Sequence, residues 1–144
     1  MGTSTCIEQR NSLDQAIHNE KVAEYISKKS DFSDWIITIR FYSALHYIRA
    51  YVIPYSIILK NGDEAVYSNF EDLYKNFKQD CEGCHGFQLR FVQEKYETIA
   101  FEYQKLYEMS VNARYNNYEY TRENSTKSAS YLKIIKEVCT SRHD

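Results

Sequence analysis

Residues 35–52 read WIITIRFYSALHYIRAYV, from Trp35 to Val52, and the way this stretch folds decides the architecture. Trp35, Ile36, Ile39, Tyr42, Ser43, His46, Tyr47 and Ala50 recur at steps that fit a helical turn, up to a stop at Pro54. The run Ile36, Ile37, Thr38, Ile39 has strand propensity, but a pattern sustained for about eighteen residues is too long for an ordinary strand. The segment reads as a central helix, apolar around most of its circumference. Such a helix suits the middle of a bundle, or one with a face on the core and another on a partner chain.

Working outward, Asn11 and Ser12 precede Leu13 with Gln15 three residues after Ser12, a capping pattern that opens a first helix over Ser12 to Lys29. Asp31 to Asp34 supplies the cap of the central helix. Beyond Pro54, Asn61 and Gly62 form a turn signal inside Tyr55 to Tyr67, where a small hairpin competes with a plain loop, and the loop is the expectation. Ser68 and Glu71 make a capping box for a short helix to Gln79, and Gly83 and Gly86 then break the chain. From Phe87 to Tyr115, positions Leu89, Val92, Tyr96, Ile99, Tyr103, Leu106 and Ser110 alternate steps of three and four. That heptad seam predicts one rod about 40 Å long at about 1.5 Å per residue. A last helix over Thr126 to Thr140 is capped by Asn124 or Ser125. The expectation is an all-α fold: an antiparallel up-and-down bundle of four main helices plus one short helix, a single domain over 1–144 with its core in 12–139.

Composition agrees. The 144 residues include four Gly and one Pro, too few turn formers for a sandwich or barrel of many short strands. Eighteen Lys and Arg against twenty Asp and Glu leave a net charge of −2, so nucleic acid or anionic lipid is not drawn by a global field and must meet a local patch. The apolar run of the central helix is interrupted by Arg40, His46 and Arg49, so no membrane span and no membrane partner are expected. The first 25 residues carry Glu8, Arg10, Asp14, Glu20 and Lys21 and lack a secretory core, which points to a soluble, cytoplasmic chain.

Three groups of residues carry chemistry. Cys81, Cys84 and His85 have the spacing that attaches haem or starts a zinc site. Zinc needs a fourth ligand from Cys6, Cys139 or His143, and haem needs export and more loop, so a helix-breaking loop with free thiols and no cofactor is expected. On the central helix, His46 lies four residues after Tyr42 and three before Arg49, one face able to hold a phosphate or a carboxylate. The ordinary alternative is a buried histidine bonded to a neighbouring helix. The third group, Asn112 to Tyr120, sets Arg114 one turn before Tyr118 with Tyr115 and Asn117 beside them, a mixture that can hold a phosphate and stack a base. It can equally fix a helix end to the bundle through Arg114 and tyrosine hydroxyls.

Taken together, WIITIRFYSALHYIRAYV at 35–52 and SVNARYNNYEY at 110–120 resemble the HEPN domain, the "higher eukaryotes and prokaryotes nucleotide-binding" helical bundle, over Ser12 to Cys139. The resemblance implies a four- or five-helix bundle that homodimerises, found in toxin–antitoxin and defence systems. It implies a ligand that is RNA, a nucleotide or a partner protein, held by Arg114, Tyr115, Asn117 and Tyr118, with His46 and Arg49 next. Catalytic members are metal-independent endoribonucleases in which an arginine is followed, after four to six residues, by a histidine. Arg114 matches the arginine, but the positions beyond it hold Glu119, Tyr120 and Thr121. Cleavage needs a group that exchanges a proton near pH 7, which a tyrosine does poorly. The expectation is a non-catalytic binder. The alternative is a divergent ribonuclease in which His46, or His85, meets Arg114 across the bundle.

Overall fold

A computed structural model describes residues 6–29, 32–115 and 122–141. Among them the chain forms α1 (Ile7–Lys29), α2 (Ser33–Val52), β1 (Tyr55–Ile58), β2 (Glu64–Tyr67), α3 (Phe70–Phe77), α4 (Cys84–Lys95), α5 (Glu97–Tyr115) and α6 (Arg122–Thr140). The fold is all-α with one small hairpin, and none of these helices is long and apolar enough to cross a membrane.

The central position of α2 follows from its apolar circumference. Ile36, Ile37, Phe41, Ala44, Leu45, Tyr47 and Ile48 are all buried, and α1, α5 and α6 pack around them. Gln9 Nε2 donates to Ala50 O at 2.9 Å and Ser43 Oγ to Ala16 O at 2.7 Å, so α1 runs antiparallel to α2. Phe41 stacks on Tyr103, and Arg114 at the end of α5 meets Tyr42 while Tyr103, earlier in α5, feels the charge of Arg49 near the end of α2, which sets α5 antiparallel to α2 as well. Arg40 near the start of α2 reaches Ser125 and Ser128 near the start of α6, so these two run together. The four long helices thus alternate in direction along the chain, as the sequence predicts.

The expected rod over Phe87 to Tyr115 is not one helix. It folds back at Tyr96, whose backbone leaves the helical region at φ −132°, ψ 65°. The amide of Gln93 donates to that of Gln104 at 3.1 Å, a contact that eleven residues of continuous helix, about 16 Å, would forbid. Both arms keep their seam on the same core, with Val92 in α4 and Ile99, Tyr103 and Leu106 in α5 fully buried. The heptad pattern records a shared buried face and is silent about a turn within it. Gln88 Nε2 donates to Leu45 O at 3.0 Å and Tyr96 packs on Tyr51, so α4 runs beside α2 in the same direction.

Other boundaries also move. The first helix begins at Ile7, not Ser12, because buried Gln9 exchanges its solvent partners for the Ala50 carbonyl. Asp31 lies outside the described residues; Phe32 occupies the N-cap of α2 without a side-chain cap bond. The cap of α3 is Asn69, whose Oδ1 accepts from Asp72 N at 2.8 Å, one residue later than the Ser68 reading. The last helix begins at Arg122 and not at Thr126, which leaves Asn124 and Ser125 inside it and not at its cap. The segment expected as a loop is an antiparallel hairpin pairing Tyr55 with Tyr67 and Ile58 with Glu64. Gly62 supplies φ 91° at its tip and the Asn61 side chain accepts from Asp63 N at 2.9 Å, the two demands of a tight turn.

Candidate functional site

The fold-back at Tyr96 returns the end of α5 to the beginning of α4, and both lie against the middle of α2. Four basic side chains gather there: His46 and Arg49 from α2, His85 from α4 and Arg114 from α5. Tyr42 is the hinge of the group. Its hydroxyl accepts from Arg114 Nη1 at 2.9 Å, and its ring stands edge-on to His85 with centroids 5.8 Å apart. Arg114 is further tied to its own helix, Nε donating to Ser110 O at 3.2 Å, and its guanidinium lies 5.1 Å from the centroid of the Tyr115 ring. Arg114 is half-buried and Tyr115 is 72% exposed, so this end of α5 is anchored to the bundle and still open to solvent.

Arg49 is positioned from α4. Its Nε donates to Gln88 Oε1 at 2.9 Å and its Nη2 to Cys84 Sγ at 3.3 Å, while the guanidinium lies 4.8 Å from the Phe70 ring centroid. The buried Gln88 amide is oriented by its other bond, to Leu45 O, which leaves its oxygen for Arg49. None of the ion pairs among the described residues involves Arg49 or Arg114. Burial is the main cause that lowers the pKa of His46, to about 4, with Arg49 and then His85 adding repulsion. His85 is lowered in the same way by burial, then by Arg49 and Arg114. Both imidazoles are neutral at pH 7, beside the two guanidinium groups.

Two buried polar atoms in this neighbourhood make no hydrogen bond with any described residue: His46 Nδ1 and the hydroxyl of Tyr103. His46 is therefore not the satisfied core histidine that the sequence also allowed. Of the predicted site residues, the structure brings His46, Arg49, Arg114 and Tyr115 to one region; Asn117 and Tyr118 lie outside the described residues. Sequence reasoning missed Gln88 and Tyr103, which look like helix-surface and seam residues. It placed His85 chiefly with the cysteines, yet Cys84 turns to Arg49 and the His85 ring packs on Phe41 and Tyr42. Among the described residues no three His, Cys, Asp or Glu side chains group as metal ligands.

No protein family, no curated protein and no solved structure matches this chain. The cluster's chemistry therefore has to speak through its own groups. Two guanidiniums attract an anion, two neutral imidazoles accept protons, and an exposed phenol ring offers a stacking face.

Proposed function

We propose that this chain is an HEPN-like bundle that binds single-stranded RNA as a non-catalytic homodimer, in a cytoplasmic toxin–antitoxin or defence setting. The observation that carries the reading is the meeting of Arg49 and Arg114 around two neutral histidines, with no described ion pair to discharge them, beside the exposed Tyr115 ring. Phosphate would meet the guanidinium groups and a base would stack on Tyr115. The face continues along α2 through Ile39 to Trp35, which is 62% exposed, an apolar margin suited to a second copy.

Fluorescence anisotropy with a labelled RNA oligonucleotide tests this. Arg114→Ala should weaken binding about tenfold and reduce the salt slope by about one, and Tyr115→Ala should weaken it at all salt concentrations. Binding that is absent, or indifferent to both changes, rejects RNA; salt-insensitive capture of a protein would point instead to the partner-protein reading. Sedimentation should give a dimer that Trp35→Glu dissociates.

A second reading, a divergent metal-independent endoribonuclease, draws on one observation. His85, neutral at pH 7, feels the charge of Arg114, whereas His46 feels Arg49 and His85. If RNA is cleaved, His85→Ala and Arg114→Ala should abolish cleavage while His46→Ala retains it; loss in His46→Ala would restore the pairing of Arg114 with His46 expected from sequence.

A further inference from the structure

Of the four glycines in the chain, Gly62 alone follows an asparagine, and Asn61 and Gly62 stand exposed at the tip of the hairpin. This pair has a chemistry of its own. A glycine has no Cβ to shield its backbone nitrogen, so that nitrogen can attack the side-chain amide of the residue before it. Among the described residues, nothing lies within 4 Å of the place a Cβ would take at Gly62. Asn11 and Asn124, each followed by the next smallest neighbour here, serine, lie inside α1 and α6.

The closed turn keeps the two reacting groups occupied. Leu59 N donates to Asp63 O at 2.7 Å and Gly62 N to Leu59 O at 2.9 Å, which closes a tight loop and commits the proton of the attacking nitrogen to a carbonyl. The Asn61 amide is held at both ends by Asp63: Oδ1 accepts from Asp63 N at 2.9 Å, and Nδ2 donates to Asp63 Oδ2 at 3.0 Å. Ring closure needs the Gly62 bond and both Asp63 bonds released together. Leu59, Lys60, Asn61, Gly62 and Asp63 are all exposed, so the tip belongs to the parts of a fold that open locally at low cost.

We propose that Asn61 is a site of intramolecular deamidation gated by the opening of this turn, with water as the co-reactant. Once the tip is open, Gly62 N loses its proton to hydroxide and bonds to Asn61 Cγ. The Cγ–Nδ2 bond breaks, and the amide nitrogen leaves as ammonia, carrying a proton from water in exchange for the one lost. Water then opens the cyclic imide. Attack at Cγ leaves an aspartate, and attack at the main-chain carbonyl leaves an isoaspartate whose backbone runs through Cβ. No atom is oxidised or reduced. Either product carries a carboxylate in place of the Nδ2 donor, so repulsion from Asp63 replaces a hydrogen bond and the tip stays open.

Incubation of the full chain in mildly alkaline buffer, with and without denaturing guanidinium chloride, tests the assignment when peptide mapping follows aspartate and isoaspartate. In denaturant, Asn61 should convert faster than Asn11 or Asn124. In the native chain it should convert about tenfold more slowly than in denaturant, the factor expected for releasing the turn's bonds. Asp63→Ala, which frees Nδ2, should speed native conversion about threefold and leave the rate in denaturant unchanged. Asn61→Asp, equivalent to one product, should let the Leu59 amide proton exchange about threefold faster, because that N–H closes the loop. The proposal is overturned by a native rate that equals or exceeds the rate in denaturant, by no conversion of Asn61 in denaturant, or by a native rate that Asp63→Ala leaves unchanged. Unchanged exchange of Leu59 in Asn61→Asp would overturn the open state of the product.

Discussion

Arg114 donates a 2.9 Å hydrogen bond to the hydroxyl of Tyr42, a residue 72 positions earlier in the chain. This contact joins α5 to α2 at the place where His85 enters from α4, so it couples the packing of three helices to the position of the cationic cluster. Tyr42→Phe keeps the ring against His85 and removes only the acceptor. Unfolding in urea should show a loss of about 1–2 kcal/mol, within the range for a hydrogen bond to a charged group. RNA affinity should change as well, because the guanidinium loses its tether.

Gln88 is buried and satisfies both the Leu45 carbonyl and Arg49. Gln88→Leu preserves bulk and removes one hydrogen bond from each of two partners at once. The expected cost is about 2–4 kcal/mol by denaturant titration, larger than for Gln88→Glu, which can still accept from Arg49. A Leu variant as stable as the original would show that water reaches both groups.

Tyr103 has a fully buried hydroxyl that meets no described partner, and burial drives its pKa far above the usual phenol range. Removing an unsatisfied polar atom while keeping the ring stacked on Phe41 should not destabilise. Tyr103→Phe is expected to be neutral, or more stable by up to about 1–2 kcal/mol. A loss above about 1 kcal/mol would mean that the hydroxyl is bonded in solution.

His46 titrates in the folded chain at about 4, against an ordinary 6.5, because burial and Arg49 both oppose its protonation. The unfolded chain therefore binds the proton more readily, and stability rises with pH between these two values. It is complete above about pH 6.5 and falls as the pH drops toward 4, by up to about 3 kcal/mol, less where solvent reaches the ring. Urea midpoints measured from pH 7 to pH 5 should fall, and should fall distinctly less in His46→Gln. Identical profiles would assign the acid sensitivity to His85, whose pKa is shifted in the same direction.

Much of the fold is legible in the sequence because it depends on local rules. The span of α2 follows from a helical period ended by Pro54, and the seam over Leu89 to Ser110 names residues that are indeed mostly buried. Where partners come from far along the chain, the reading fails. Gln9 extends α1 through a bond to Ala50, and Ser125 serves Arg40 from within α6. Neither residue type signals burial by itself.

The candidate site divides in the same way. The sequence alone determined that Arg49 and His46 share a face of α2 and that Arg114 stands near the end of α5, because the angle between residues on one helix is set by backbone geometry. Only the tertiary structure decided that the chain turns back at Tyr96, that His85 thereby joins Arg114, and that Arg40 and Arg49 serve opposite sides of the bundle. The physical reason is that apolar burial has no direction of its own. A periodic stripe states which face leaves water, and which other face it meets is settled when all the helices pack at once.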